Sequence, residues 1–385
     1  MEKLKVVIVD DAAFMRKALA QILGGDPEIE VVDAVKNGLE ALQVIKAKRP
    51  DVITLDMDMP IMDGLTAIRH LMIEAPLPIV VLSSLVQDGS VIFEALRLGV
   101  VDFIPKPSGA ISLNIHGEKK KIIDRVKMAY SVKLHNLRRV RLSPQQGKSG
   151  ICKAANSLPS PEYLITLGTS ISGSNTLIRL ISQLSPAMPA TVVAVQEISP
   201  KILSSFVRAL NQFVPWTVEE GRDGVLLNQG TFYICSNENS IRIEKTGSGV
   251  ACLRVNGADP QPLNLLFATA ADVFRQKALG VLLTGLGNDG VEGFARIRQK
   301  GGMTIGEDTD CCVHPHLVGN ALRHGVVDFI LHEKEIPGVI HSVLTSSRQG
   351  AAFLAGGGDR IPETGNRLLR KPTPVTRAAT DGSKE

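Results

Sequence analysis

Residues 6–11 read Val-Val-Ile-Val-Asp-Asp, four apolar residues ending in two adjacent carboxylates. A run without alternation fits a strand buried on both faces, the situation in a parallel sheet covered by helices. Three further runs extend the pattern: VITL at 52–55, IVVL at 79–82 and VVDFI at 100–104. Their ends carry polar groups, with Asp56 closing the second run, Ser83 the third, and Lys106 following the fourth in Phe103-Ile104-Pro105-Lys106-Pro107. In a parallel sheet these ends share one edge, and open α/β sheets hold their ligands at that edge. Three acids gathered there, Asp10, Asp11 and Asp56, call for a hard cation such as Mg2+, which favours a few carboxylates plus water and phosphate oxygens. One carboxylate can then attack a phosphoryl group, with Ser83 offering a hydroxyl and Lys106 a point charge to its oxygens.

The chain has 385 residues, more than one ordinary core holds, and suits two domains. Apolar residues make up 44%, charged residues 21% and aromatics only 4%, a globular composition in which aliphatic residues carry the burial. A net charge of +4 names no partner. From Ile122 to Leu137 apolar residues recur every three or four positions among Lys119, Lys120, Lys121, Arg125, Lys127, Lys133, Arg138 and Arg139, which reads as one amphipathic helix with a solvated basic face. No nucleic-acid partner follows from that face. The five cysteines have no C-x-x-C spacing, as expected in a reducing compartment. The first residues are too polar for a signal peptide, and no run approaches the ~20 apolar residues of a membrane span. The expectation is a cytoplasmic protein without membrane insertion.

Residues 141–160 mix polar residues, Gly and Pro without an apolar period and read as a linker. A second αβ series follows, with YLITLGTS at 163–170, TVVAVQ at 191–196, GTFYIC at 230–235, ALGVLLTG at 278–285 and GGMTIGE at 301–307. After about Ser347 periodicity ends, so a disordered tail is expected. The domain plan is therefore 1–125, a basic helix and linker over 126–157, a second domain over 158–347, and a tail over 348–385. The fold class is α/β, two doubly wound parallel-sheet domains joined by a linker.

Ser170 follows the strand YLITL, with a helical pattern just after it. A serine at such a turn lies near backbone N–H groups that can stabilise an oxyanion, which suits a nucleophile, although a helix N-cap uses the same residue type. Gly285-Leu286-Gly287-Asn288-Asp289-Gly290 follows the strand ALGVLL. Read as G-x-G-x-x-G with Glu307 about 20 residues on, it suggests a dinucleotide site. Against that, Asp289 would put negative charge where a pyrophosphate must sit. His314 and His316, in Val313-His314-Pro315-His316, read as exposed loop imidazoles, with a substitute catalytic base as the other possibility.

IVDDAAFMR, LDMDMPIMDG, VLSSL and DFIPKP make residues 1–125 resemble the response-regulator receiver family, of flavodoxin-like fold. The resemblance implies Asp56 as the phosphorylated residue, Asp10 and Asp11 as metal acids beside it, Lys106 and Ser83 as phosphoryl contacts, and Ser83 with Phe103 as the switch pair. LGTSISG, VVAVQ, SPKILSSFVRAL, EEGRDGVLL, GTFYIC, LLTGLGNDGVEGF and GVVDFIL make the stretch from about Tyr163 to Val343 similar to the output domain of chemotaxis protein-glutamate methylesterases. That similarity implies hydrolysis of glutamyl methyl esters, with deamidation of glutamines in some members, on methyl-accepting chemoreceptors. It also implies a sensor histidine kinase as phosphodonor, no cofactor in the second domain, and relief of inhibition when the receiver is phosphorylated. Ser170 would be the nucleophile and Asp289 the orienting acid. The sequence departs from the family at Glu197, where the pattern has the catalytic histidine, at Ile171-Ser172 in place of Thr-Gly, and over Asp259–Asn264. A carboxylate of ordinary pKa ~4.3 is a poor base at neutral pH, so two expectations stand together: a slowed hydrolase, and a regulator that docks on receptors without hydrolysis.

Overall fold

The computed structural model describes residues 2–83, 89–106, 119–143 and 159–345. Most of the expected linker, the expected tail, His116 and Cys152 lie outside the described residues.

The first domain runs β1 (Leu4–Val9), α1 (Ala13–Gly24), β2 (Ile29–Val35), α2 (Gly38–Lys48), β3 (Val52–Asp56), α3 (Gly64–Glu74), β4 (Ile79–Ser83), α4 (Gly89–Leu98), β5 (Asp102–Pro105) and α5 (Lys119–Tyr130). Its strands pair in parallel in the order β2-β1-β3-β4-β5. The apolar runs fall where burial on both faces demands them: Val6 to Val9, Val52, Ile53, Leu55 and Ile79 to Leu82 are all essentially inaccessible. The strand order reverses between β1 and β3, so the crevice lies between Asp10 and Asp56. Local chemistry sets the helix starts. Asn37 accepts the Glu40 amide at 2.9 Å and Asp63 accepts that of Thr66 at 2.7 Å, each satisfying a donor left open in a first turn.

The basic helix differs from its expected extent. It crosses the expected boundary at residue 125 and stops at Tyr130, which is exposed, and only a short 3-10 turn at Leu134–Asn136 follows. Ile122, Ile123, Val126 and Ala129 pack into the first domain's core with Leu19 and Ile22, so this helix completes the receiver's layer. Beyond it the chain turns to reach the second domain, where Lys133 N–H donates to the Val313 carbonyl.

The second domain runs β6 (Tyr163–Gly168), α6 (Gly173–Gln183), β7 (Ala190–Gln196), α7 (Pro200–Asn211), β8 (Thr217–Glu220), β9 (Thr231–Ser236), β10 (Ser240–Lys245), β11 (Ala251–Asn256), α8 (Pro262–Phe274), β12 (Ala278–Leu282), α9 (Val291–Gln299), β13 (Met303–Glu307), α10 (His316–Arg323), β14 (Phe329–Leu331) and α11 (Ile336–Thr345). Its main sheet is parallel in the order β14-β13-β12-β6-β7-β9-β8, and β10 and β11 form a separate antiparallel hairpin. The strand order reverses between β6 and β12. The turns after these neighbouring strands are those that carry Ser170 and Gly285–Gly290.

The two domains share a large apolar cluster. Phe93 and Leu96 of α4, with Val140, pack among Ile178, Phe206, Leu210 and Trp216. Phe93 stacks on Phe213 at 4.9 Å between centroids, and Arg97 lies 5.8 Å over the same ring. At ~25 cal/mol per Å2 of apolar surface, such aromatic burial makes docking of the domains a structural feature in its own right.

Candidate functional site

At the edge of the first sheet, Asp10, Asp11 and Asp56 each offer a carboxylate oxygen within 4.8 Å of the others. Asp10 and Asp56 are buried and Asp11 is exposed. Backbone amides fix the two buried groups, Ala12 N–H donating to Asp10 at 2.9 Å and Met57 N–H to Asp56 at 2.8 Å. Lys106 Nζ lies 2.7 Å from both Asp10 and Asp56. Burial raises the Asp56 pKa, with Lys106 opposing. Burial works against the Lys106 charge, yet the two carboxylates outweigh it and its pKa is raised. Three acids against one ammonium leave an excess of negative charge that a divalent cation matches, and an all-oxygen set open to water on the Asp11 side suits Mg2+. The residues present fit the metal, and Asp10, Asp11 and Asp56 would hold it. Bound there, it would neutralise the oxygens of an incoming phosphoryl group.

Phe103, on β5, is half-buried and packs against both the receiver core and the cluster shared by the two domains. Ser83 sits at the end of β4, its carbonyl accepting the Lys106 amide at 2.7 Å. Ser83 thus neighbours Lys106 at the acidic edge, and Phe103 lies where the receiver core meets the shared cluster.

In the second domain the turn after β6 is tight. Ser172 takes φ 63° as N-cap of α6, a left-handed conformation that costs a non-glycine residue ~1–2 kcal/mol. Gly173 is obligatory there, because an added Cβ would overlap the Thr169 side chain. The Ser170 hydroxyl accepts the Leu286 N–H at 2.7 Å and faces the Leu286 carbonyl at 3.2 Å. Gly285 makes room for this, since a Cβ on it would stand 2.7 Å from Ser170 Oγ. Gln196, at the end of β7, steadies the same turn by donating from Nε2 to the Ser170 carbonyl at 3.4 Å.

The other expected members of this site lie apart from the hydroxyl. Asp289 accepts backbone N–H groups from Leu263 at 2.7 Å, Asn264 at 2.9 Å and Gly290 at 2.8 Å, which caps the start of α8. Burial raises its pKa against those donors. Glu197 faces the receiver, with its carboxylate 2.5 Å from Arg125 Nη2. Among the described residues, the hydrogen bonds of the Ser170 hydroxyl run to Leu286 alone.

Three sequence expectations are corrected. His314 is buried, its N–H bonded to Thr284 Oγ1 and its carbonyl to the Gly285 N–H, and burial with the nearby His316 lowers its pKa to about 4; only His316 is exposed. The dinucleotide reading also fails physically. The Leu286 and Gly290 amides are occupied by Ser170 and Asp289, and Glu307, the would-be ribose ligand, is fully buried against the Thr284 N–H. Arg125, read as part of a solvated face, is mostly buried between two acids. The amide of Leu286 had no signal in the sequence, because a backbone donor is the same in every residue but proline.

A carboxylate-lined phosphoacceptor edge joined to a serine turn at the switch point of a second parallel sheet defines a receiver-controlled hydrolase. The family profiles agree, the CheB methylesterase matching residues 165–340 and the response regulator receiver domain residues 6–115. A protein-glutamate methylesterase/protein-glutamine glutaminase of Pyrococcus horikoshii is 33% identical over 356 residues, covering 90% of this chain and 95% of the relative. One of Carboxydothermus hydrogenoformans is 37% identical over 346 residues, covering 86% and 96%. The Thermotoga maritima CheB methylesterase catalytic domain overlays with a TM-score of 0.45 at 26% identity, over 47% of this chain and 98% of that one. The chain belongs to the CheB family of protein-glutamate methylesterases with an N-terminal receiver domain.

Proposed function

We propose that this protein hydrolyses glutamyl methyl esters, and deamidates glutamines, on methyl-accepting chemoreceptors in the cytoplasm, under control of phosphorylation at Asp56 by a sensor histidine kinase. The observation that carries the chemistry is the Ser170 hydroxyl held against the Leu286 amide at the switch point of the second sheet. Ser170 Oγ attacks the ester carbonyl, its proton passes through water to the departing methoxide, methanol leaves, and a second water then releases the glutamate and returns the proton to Oγ. Asp289 acts by fixing the start of α8 and the GLGNDG turn. In support of a cytoplasmic setting, the described cysteines are all free, and no helix among the described residues is long and apolar enough to cross a membrane.

A second reading is favoured by one observation: Glu197, at the position of the family's histidine, is bonded to Arg125 and not to Ser170. Loss of a triad base costs a serine hydrolase several orders of magnitude, and such a protein would act by docking on receptors. Methanol release from methylated receptor separates the two readings, measured with and without acetyl phosphate beside Ser170→Ala and Glu197→His. Hydrolysis predicts release by the wild type, stimulated by acetyl phosphate and absent in Ser170→Ala. Wild-type release no higher than that of Ser170→Ala, with a gain in Glu197→His, would overturn hydrolysis by the natural sequence.

A further inference from the structure

Among the described residues, the boundary between the domains contains a charged cluster that neither the acidic edge nor the serine turn uses. Arg125 of α5 donates to Asp102 of β5 at 3.0 Å and to Glu197, just past β7, at 2.5 Å. The side chains of Arg125, Asp102 and Glu197 are only 17%, 8% and 18% exposed. Burial pushes the Asp102 carboxyl up to about 6 against the pull of Arg125, and Glu238 adds a further negative charge near the guanidinium. A charge taken out of water is tolerated only with its partner in place, so an ion pair of this kind specifies one register between the surfaces that carry it. Neighbouring contacts share that register. The Ser172 hydroxyl faces the Val101 carbonyl at 3.4 Å, and Asn175 Nδ2 donates to the Leu96 carbonyl at 3.1 Å.

We propose that Glu197 is the second domain's half of a charge latch that holds the receiver against the Ser170 cleft, with Arg125 as the other half and Asp102 orienting the guanidinium. Glu197 is thus a docking residue and not the base that serves Ser170. The latch and Lys106, the cation paired with the phosphoacceptor Asp56, lie on one segment, because β5 carries Asp102 and leads directly into Lys106. Phosphorylation therefore acts on the latch through the segment Asp102–Lys106. This deepens the regulatory part of the proposed function and rests on it only for the consequence of opening.

The test is amide hydrogen exchange on the full chain, with and without Mg2+ and beryllium fluoride as a phosphoryl mimic. Without the mimic, Glu197→Gln should raise exchange in α5 and α7 by about tenfold, as expected for an interaction of ~1.4 kcal/mol, towards the level the wild type reaches with it. Arg125→Met should raise it further, since two carboxylates are then left facing each other. Adding Glu197→Gln to Arg125→Met should lower exchange again by removing that repulsion. Protection of β1 and β12, at the centres of the two sheets, should stay at the wild-type level throughout and reports intact folding. Wild-type protection in Glu197→Gln, single effects that add in the double variant, or a rise spread evenly through both sheets would each overturn the latch. Methanol release is not read, so an inactive esterase leaves this result standing.

Discussion

The Leu286 amide donates to the Ser170 hydroxyl at 2.7 Å, joining the turns that follow two neighbouring parallel strands. This contact depends on Gly285, whose missing side chain leaves the space in which Ser170 sits. Gly285→Ala would place a methyl group 2.7 Å from Oγ and 2.9 Å from the Ser170 nitrogen. Overpacking of this kind costs ~1–3 kcal/mol. We expect methanol release to fall to the level of Ser170→Ala while the chain stays folded by circular dichroism. Wild-type turnover in Gly285→Ala would show that the nucleophile lies elsewhere.

Asp56 is one of the two buried carboxylates of the acidic edge, both paired with Lys106. Asp56→Asn should abolish acid-labile phosphate incorporation from acetyl phosphate, and removal of Mg2+ with EDTA should do the same to the wild type. Incorporation unchanged in either case would contradict the assignment of the phosphoacceptor.

Asp289 serves three backbone donors, whereas Ser170 serves one. Asparagine keeps a single acceptor oxygen, so Asp289→Asn should lose ~1–2 kcal/mol of stability, the usual scale for a helix cap. Ser170→Ala should change stability by less than ~0.5 kcal/mol. Urea denaturation of the two variants checks this, and equal midpoints would remove the structural role given to Asp289.

Glu307 should make stability fall with rising pH. Burial lifts its folded-state pKa from 4.5 to about 7, so the carboxyl keeps its proton in the native state where the unfolded chain has lost it. Below about pH 4.5 both states are protonated and no cost arises; between about 4.5 and about 7 the cost grows; above about 7 it is complete, on the order of 3 kcal/mol. Glu307→Gln should be more stable than the wild type at pH 8 and gain nothing at pH 4. Urea midpoints of the pair across that range supply the measurement, and Asp102, which titrates in the same window, cancels in the difference. A difference independent of pH would mean that Glu307 titrates alike in the folded and unfolded chain.

The strands of the receiver are the most legible part of the sequence. Val6–Val9, Val52–Leu55 and Ile79–Leu82 read as parallel strands because burial on both faces removes alternation. The acids at their ends then had to converge. The edge strands β2, β8 and β14 gave weaker signals, since β2 buries fully only Ile29 and Val35. The β10–β11 hairpin alternates in Ile241, Arg242, Ile243 and Glu244, a signal that could have revealed it.

Local periodicity and the common edge of parallel strands were enough to place the central strands of the two sheets, the acidic edge and the serine at its turn. Long-range packing was needed to establish that Glu197 faces Arg125, that Asp289 caps α8, and that His314 is buried. A side chain's type fixes which bonds it can make. Its partner is fixed by contacts between residues far apart in the chain, and Arg125 and Glu197 meet across a boundary that the Phe93–Phe213 contact and its neighbours also hold.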